Sequence, residues 1–413
     1  MLASLQDILD TVKSNTLTYQ QKLMCLGNIA ERLFDPRELL GYTDEEWQFL
    51  QNQMICDLNE GYAIYRPRYI LPDYNVYIKK GCEFLELPAP KNLDDALDGL
   101  LILYSHVPSI TTFPVYIGRL DMLLDPFITD EEQDYIKIKR FLNHVDKTVP
   151  DSFCHANIGP YDTKAGRLIL KAVIELEAPT PNMTIRYDKN KTSREFAELA
   201  AKACLLVSKP SFANDAYYIS DLGEQYGIAS CYNALPECGG AYTLTRLRLG
   251  TIARACKTVD EMVNELLPRV AKCALSTMDK RHKFVVEESN FFNTSFLEKE
   301  GFIKRTNFTG MFAIVGLADA ANHLLQQEGL NETFGKSQRG DEIATLIMDK
   351  LKEVTDNHEG VYAERTGNRY LLHAQVGASN HEEDKRNSPA HRIRVGEEPT
   401  LLAHLKQSAP FHK

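Results

Sequence analysis

The sequence predicts an α/β fold, and three observations carry that expectation. From about residue 165 onward, helical periodicity alternates with short β-rich segments. The 413 residues are 44% hydrophobic and 25% charged, an ordinary globular composition with enough apolar material for a large core. No internal repeat or low-complexity tract interrupts the chain, and an α/β barrel can use such a length as one unit.

Residues 1 to about 50 read as helical. Thr18-Tyr19-Gln20-Gln21 has the form of a capping box, and Leu23, Leu26, Ala30 and Leu33 share one face before Asp35-Pro36 breaks the helix. Asn59 to Tyr74 is rich in Tyr, Arg and Pro and predicts an ordered, irregular connection whose Arg66 and Arg68 are expected to face solvent or serve structure, with contact to a substrate as the alternative. Asn92 can cap the next helix, with Leu93, Ala96, Leu97, Leu100, Leu101 and Tyr104 at helical spacing. Ser109 to Gly118 predicts a buried strand, and residues 130–147 a charged helix. Phe153 to Pro160 reads as an unusual loop that places His155 and Asn157 near a turn.

A helix is expected over 165–177 and a strand over Asn182 to Tyr187. Thr192-Ser193-Arg194-Glu195 predicts a capped helix ending at Pro210, followed by a short extended piece, Ser211 to Asn214. Thr258-Val259-Asp260-Glu261 caps a further helix, and Phe308 to Asn322 is an apolar run passing into a helix. Residues 356–398 read as loops with short strands. No terminal helix is evident, and the apolar pair Pro410-Phe411 suggests that the natural sequence continues.

The net charge of −10 and a pI near 5.6 argue against broad nucleic-acid binding but leave room for a small anion in a locally basic pocket. The first residues lack a basic start followed by an apolar run, so no signal peptide is expected. No window reaches the roughly 18 apolar residues of a membrane span. A cytoplasmic location follows as the expectation. The nine cysteines form no C-x-x-C pair, so reduced thiols are expected. Phosphate-binding glycine motifs and H-E-x-x-H are absent, and no histidine pair has metal-ligand spacing.

The stretch from Tyr226 to Gly240 stands out. It holds Cys231, Cys238, Pro236 and three glycines within fifteen residues, and it reads as a shaped loop, neither regular helix nor strand. Loops held on a rigid scaffold are where chemistry tends to sit, which makes Cys231 the candidate reacting residue. The plain alternative is a small buried hydrophobe.

Cys231-Tyr232-Asn233 in this loop, with Pro181-Asn182-Met183-Thr184-Ile185-Arg186 upstream, resembles the glycyl radical enzymes. Met311 to Asp319 looks like the glycine-leucine helix entry of the pyruvate formate-lyase and anaerobic ribonucleotide reductase group. More narrowly, five stretches in order are similar to the YjjI-type family: Arg66 to Tyr74, His155 to Pro160, Ser230 to Asn233, Gly316-Leu317-Ala318 and Gly396-Glu397-Glu398-Pro399.

The resemblance implies a ten-stranded α/β barrel of the pyruvate formate-lyase and anaerobic ribonucleotide reductase type, with N-terminal helices. Residues 1–95 would form the N-terminal helical region and 96–413 the barrel. The barrel would consist of two five-stranded parallel halves around a cysteine finger loop. The resemblance also implies that a glycyl radical withdraws hydrogen from Cys231, and that the thiyl radical then abstracts hydrogen from a small organic substrate. Asn233 stands where many relatives carry Glu. It would hydrogen-bond substrate or cap the loop turn, and it cannot move a proton. Cys238 is expected to be structural, with a second redox thiol as the alternative. No metal or cofactor would bind this chain directly. A partner activase using S-adenosylmethionine and an iron–sulfur cluster would install the radical. The implied partners are that activase and a small-molecule substrate, with no nucleic-acid polymer and no membrane; a homodimer is compatible. The family's radical glycine sits in a motif like Arg-Val-x-Gly-Tyr. Arg394-Val395-Gly396-Glu397 matches it only superficially, so a chain lacking that segment is expected. Two other readings stay open: an inactive barrel retained for binding or assembly, and a variant anaerobic ribonucleotide reductase.

Overall fold

The structure, a computed structural model, describes residues 4–31, 33, 35–56, 63–107, 114–148, 154–230, 233–374 and 400–408. Among them run eleven strands: β1 (Ile55–Cys56), β2 (Tyr69–Leu71), β3 (Tyr116–Arg119), β4 (His155–Ile158), β5 (Asn182–Tyr187), β6 (Ser211–Asn214), β7 (Tyr226–Ala229), β8 (Asn233–Pro236), β9 (Gly239–Arg248), β10 (Phe308–Val315) and β11 (Leu371–Ala374).

They form two large sheets. The first is wholly parallel, in the order β3-β4-β5-β6, with the helices Glu131–Thr148, Lys164–Leu176 and Arg194–Val207 as its crossovers. In the second, β9, β10 and β11 run parallel, while β1 and β2 pair antiparallel with different stretches of β9. Parallel strands need such crossovers because a tight turn cannot return the chain in the same direction. All ten residues of β9 and all eight of β10 are buried, as expected of strands covered on both faces. The architecture is the α/β type expected from the alternating pattern.

The caps show why the helices begin where they do. Asn92 accepts from the Asp95 amide at 3.0 Å. Thr18 and Gln21 exchange both bonds of a capping box, and Thr258 accepts from the Glu261 amide at 3.1 Å. The helix after β5 is capped by Ser193 rather than Thr192, because Ser193 Oγ takes the Phe196 amide while Thr192 turns back to bond the Asp188 amide. Three expectations are corrected. The Phe153 to Pro160 segment contains a buried strand, β4, not only a loop. The Tyr226 to Gly240 stretch is a two-stranded hairpin leading into β9. A terminal helix, Leu401–Ser408, is present.

That hairpin, β7 and β8, positions the candidate site. It follows β6 and the helix Asp215–Leu222, and β7 packs against β3 and β4 of the first sheet. Each polar group it buries has to find a partner there. At its base Arg186 of β5 donates to Asp215 at 2.7 Å and to the carbonyls of Tyr226 and Glu224. The same guanidinium lies 3.9 Å from the centre of the Tyr226 ring, whose hydroxyl donates to Asp215 at 2.8 Å. Tyr116 of β3 reaches under the hairpin and donates to Glu237 at 3.0 Å. It passes where Gly227 has no side chain; a Cβ there would lie 2.7 Å from the tyrosine ring.

Glu237 is buried, and desolvation, followed by repulsion from Asp73, pushes its carboxyl up to about 7. A carboxyl raised in the folded state gives stability that is fully present below its ordinary value of 4.5 and is lost as pH rises through about 7. The shift corresponds to roughly 3 kcal/mol.

Two expected outcomes test these points. Gly240, at φ 148°, lies where a Cβ would overlap the Tyr69 carbonyl across the β2–β9 ladder. Gly240→Ala should therefore cost upwards of about 2 kcal/mol, read as a lowered urea midpoint; an unchanged midpoint would refute the packing described. Glu237→Gln keeps the acceptor for Tyr116 and removes the titration. Its Tm should match that of the parent near pH 4 and exceed it by a margin that grows between pH 4.5 and 7 and then levels off. A pH-independent difference would sink the assignment.

Candidate active site

The far end of the hairpin is where the singled-out cysteine falls in the sequence. β7 and β8 pair antiparallel with Ala229 opposite Asn233, so Ser230, Cys231 and Tyr232 make the connection. Cys231 and Tyr232 lie outside the described residues. The two flanking residues are well buried, Ser230 at 3% and Asn233 at 6% exposure, so the connection starts and ends inside the molecule. Ser230 has φ 52°, a left-handed conformation unusual for a residue with a Cβ.

Two side chains of β4, on one face of the strand, hold β7 in place. Asn157 binds the Ile228 backbone in both directions, donating to its carbonyl and accepting from its amide, each at 2.8 Å. The side-chain amide thus acts as a substitute strand partner. Two residues earlier, His155 contacts the Ser230 carbonyl through Nδ1 at 3.0 Å and Thr184 Oγ1 through Nε2 at 2.7 Å. Thr184 in turn contacts Ser211 Oγ at 2.7 Å. His155 is fully buried, and desolvation pushes its pKa down to about 4, so the ring stays neutral at ordinary pH. From the second sheet, Tyr69 of β2 accepts from Ser230 Oγ at 3.4 Å.

Asn233 opens β8. Its Nδ2 is buried and has no hydrogen-bond partner among the described residues. A buried amide left without a partner costs free energy unless something else supplies an acceptor. Cys238 is also buried. Its thiol contacts the Gly301 carbonyl at 3.7 Å, and burial pushes its pKa up to about 11, so it is a neutral packing group. No cluster of three or more His, Cys, Asp or Glu among the described residues could hold a metal ion, and no helix there is long and apolar enough to cross a membrane.

The two stretches that the sequence marks as unusual, 153–160 and 226–240, therefore meet in space. Thr184, Ser211, Tyr69, Tyr116 and Glu237 were not singled out as site residues. Thr184 lies in the Pro181-Asn182-Met183-Thr184 string, and Glu237 is a lone carboxylate in an otherwise apolar, glycine-rich stretch; these were the available signals. Among the described residues, the His155 and Tyr69 side chains contact Ser230 through hydrogen bonds, and the His155 ring is neutral.

A family model described as glycyl radical enzyme YjjI-like matches residues 17–413. A relative from Haemophilus influenzae, named only as an uncharacterized protein, is 92% identical over 413 residues, spanning all of this chain and 80% of that protein. The uncharacterized protein YjjI of Escherichia coli is 42% identical over 404 residues, spanning 97% of this chain and 77% of that protein. Among solved structures, the anaerobic ribonucleotide reductase from Thermotoga maritima with citrate in the active site has a TM-score of 0.72 at 11% identity, covering 98% of this chain and 84% of that one. Hydroxyproline dehydratase from Clostridioides difficile, with trans-4-hydroxy-L-proline bound, has a TM-score of 0.65 at 12% identity, covering 99% and 77%. At such low identity these likenesses speak for the fold alone, which is that of the pyruvate formate-lyase and anaerobic ribonucleotide reductase type. Taken with the match along nearly the whole sequence, the chain belongs to the YjjI-like glycyl radical enzyme family.

Proposed function

We propose that this chain is the core of an enzyme in which Cys231 carries a thiyl radical to a small organic substrate. A backbone glycyl radical takes the hydrogen atom from the Cys231 thiol, giving glycine and a sulfur-centred radical. The sulfur radical then takes a hydrogen atom from a substrate carbon, giving the thiol again and a substrate radical. Each step breaks one bond to hydrogen and forms one, and S–H and activated C–H bonds are close enough in strength for transfer in both directions. A partner activase using S-adenosylmethionine and an iron–sulfur cluster would generate the glycyl radical.

One observation carries this reading: the hairpin whose connection contains Cys231 starts and ends in the buried interior. A radical needs an enclosed site, since water and oxygen divert it. We assign substrate contact to Asn233. Its unpartnered Nδ2 is a donor awaiting an acceptor, two positions from the cysteine. An amide at that position hydrogen-bonds a substrate oxygen but takes no proton from it.

The test is electron paramagnetic resonance, without oxygen, on the chain completed to the length of its Haemophilus influenzae relative and treated with an activase. The α-hydrogen of a glycyl radical splits its signal into a doublet. If Cys231 exchanges hydrogen with that glycine, the doublet collapses to a singlet in D2O, because the thiol carries deuterium there. Cys231→Ser should keep the doublet in D2O. A collapse that survives this substitution, or no glycyl signal with an active activase, overturns the reading. A second measurement separates the two roles open to Asn233. Substrate contact predicts that Asn233→Ala changes stability by less than about 1 kcal/mol, whereas a turn cap would cost about that or more. A Tm several degrees lower would favour the cap.

A further inference from the structure

We propose that His155 is the positioning residue of the cysteine turn, and that it acts by donating Nδ1–H to the carbonyl of Ser230. The inference rests on the function proposed above and extends it to a residue outside the turn itself. A carbonyl oxygen can only accept, so the 3.0 Å contact requires the hydrogen on Nδ1. Nε2 then bears the lone pair and accepts the Thr184 hydroxyl at 2.7 Å. With its own hydrogen spent on His155, Thr184 Oγ1 accepts from Ser211 at 2.7 Å. The direction is thus fixed from Thr184 of β5 through His155 of β4 to Ser230, with Ser211 of β6, whose hydroxyl also lies 3.4 Å from the Met183 carbonyl, at its start. Adjacent, parallel strands set its spacing, since Thr184 stands opposite Ser211 in register. Hydrogen bonds aligned in this way reinforce one another. Burial supports the neutral ring that the chain requires.

The carbonyl held by His155 belongs to the peptide unit that enters Cys231. That unit is planar, so gripping its oxygen restricts the whole plane. Ser230 at φ 52° occupies a backbone well that an L-residue visits at a cost, and a fixed external bond to its carbonyl holds it there. Asn157 clamps the same strand two residues earlier, at Ile228. β4 therefore holds the approach to the cysteine at two successive points on one face. Hydrogen-atom transfer depends on donor and acceptor being in close contact, and a misplacement of about 1 Å can cost roughly 100-fold in rate.

The test follows the collapse of the glycyl doublet in D2O in variants of the completed, activated protein. His155→Asn places an amide nitrogen where Nδ1 stands and can still donate to Ser230; it should collapse within a few-fold of the wild-type rate. His155→Ala and His155→Gln lose that donor and should collapse about 10 to 100-fold more slowly, with the amount of glycyl radical per chain unchanged. Thr184→Val removes only the hydroxyl, and should slow collapse several-fold even if His155→Ala does not fold. The proposal is overturned if folded His155→Ala and Thr184→Val collapse at the wild-type rate, or if His155→Asn is as slow as His155→Ala. A wild-type protein whose doublet persists in D2O overturns the parent reading and this inference with it. A wild type that collapses, with variants equally fast, overturns this inference alone.

Discussion

A two-stranded hairpin buried in a protein interior has a backbone problem. Two strands satisfy each other along one edge only, and their outer amides and carbonyls are cut off from water. Here the side chains of the first sheet answer that need. Asn157 completes Ile228, His155 takes the Ser230 carbonyl, and Arg186 takes the carbonyls of Tyr226 and Glu224. Without these bonds the buried position of the hairpin strands would be unfavourable by the desolvation cost of several polar groups. The rest of the site depends on that set of contacts.

The electrostatics follow the same logic. Arg186 and Asp215 are both almost wholly buried, and a buried charge persists only when paired and hydrogen-bonded. Asp215 receives the guanidinium and the Tyr226 hydroxyl, and the Tyr226 ring lies against the guanidinium face, so one cluster fixes the base of the hairpin. Glu237 and His155 go the other way. Burial favours the neutral form of each, pushing the Glu237 carboxyl up to about 7 and the His155 ring down to about 4. The hairpin thus carries a buried ion pair at its base, while near its turn Tyr69, which accepts from Ser230, lies under the Arg68 guanidinium at 5.0 Å.

Much of the architecture was legible from local patterns. The Asn92, Thr18 and Thr258 caps and the apolar run from Phe308 into a helix are local signals, and each corresponds to an observed element. By local pattern β4 and the hairpin resemble loops, because His155, Asn157, Asn233 and the glycines break the apolar alternation that marks a strand. Of those polar residues, His155 and Asn157 satisfy the backbone of the hairpin from β4. β9, the longest strand, left no clear signal, because Thr243, Thr245, Arg246 and Arg248 interrupt its apolar pattern.

The sequence by itself determined that residues 226–240 gather two cysteines, a proline and three glycines, and ordered strings along the chain pointed to the glycyl radical enzymes. Both rest on residues close together in the chain, where glycine, proline and capping side chains act over a few positions. Only the tertiary structure decided that His155 grips Ser230, that Asn157 clamps Ile228 and that Arg186 secures the hairpin base. Those partners lie 75, 71 and about 40 positions apart. Contacts at such separations arise from the parallel register of β4, β5 and β6 and from the return of the chain against that sheet, and no local pattern records them.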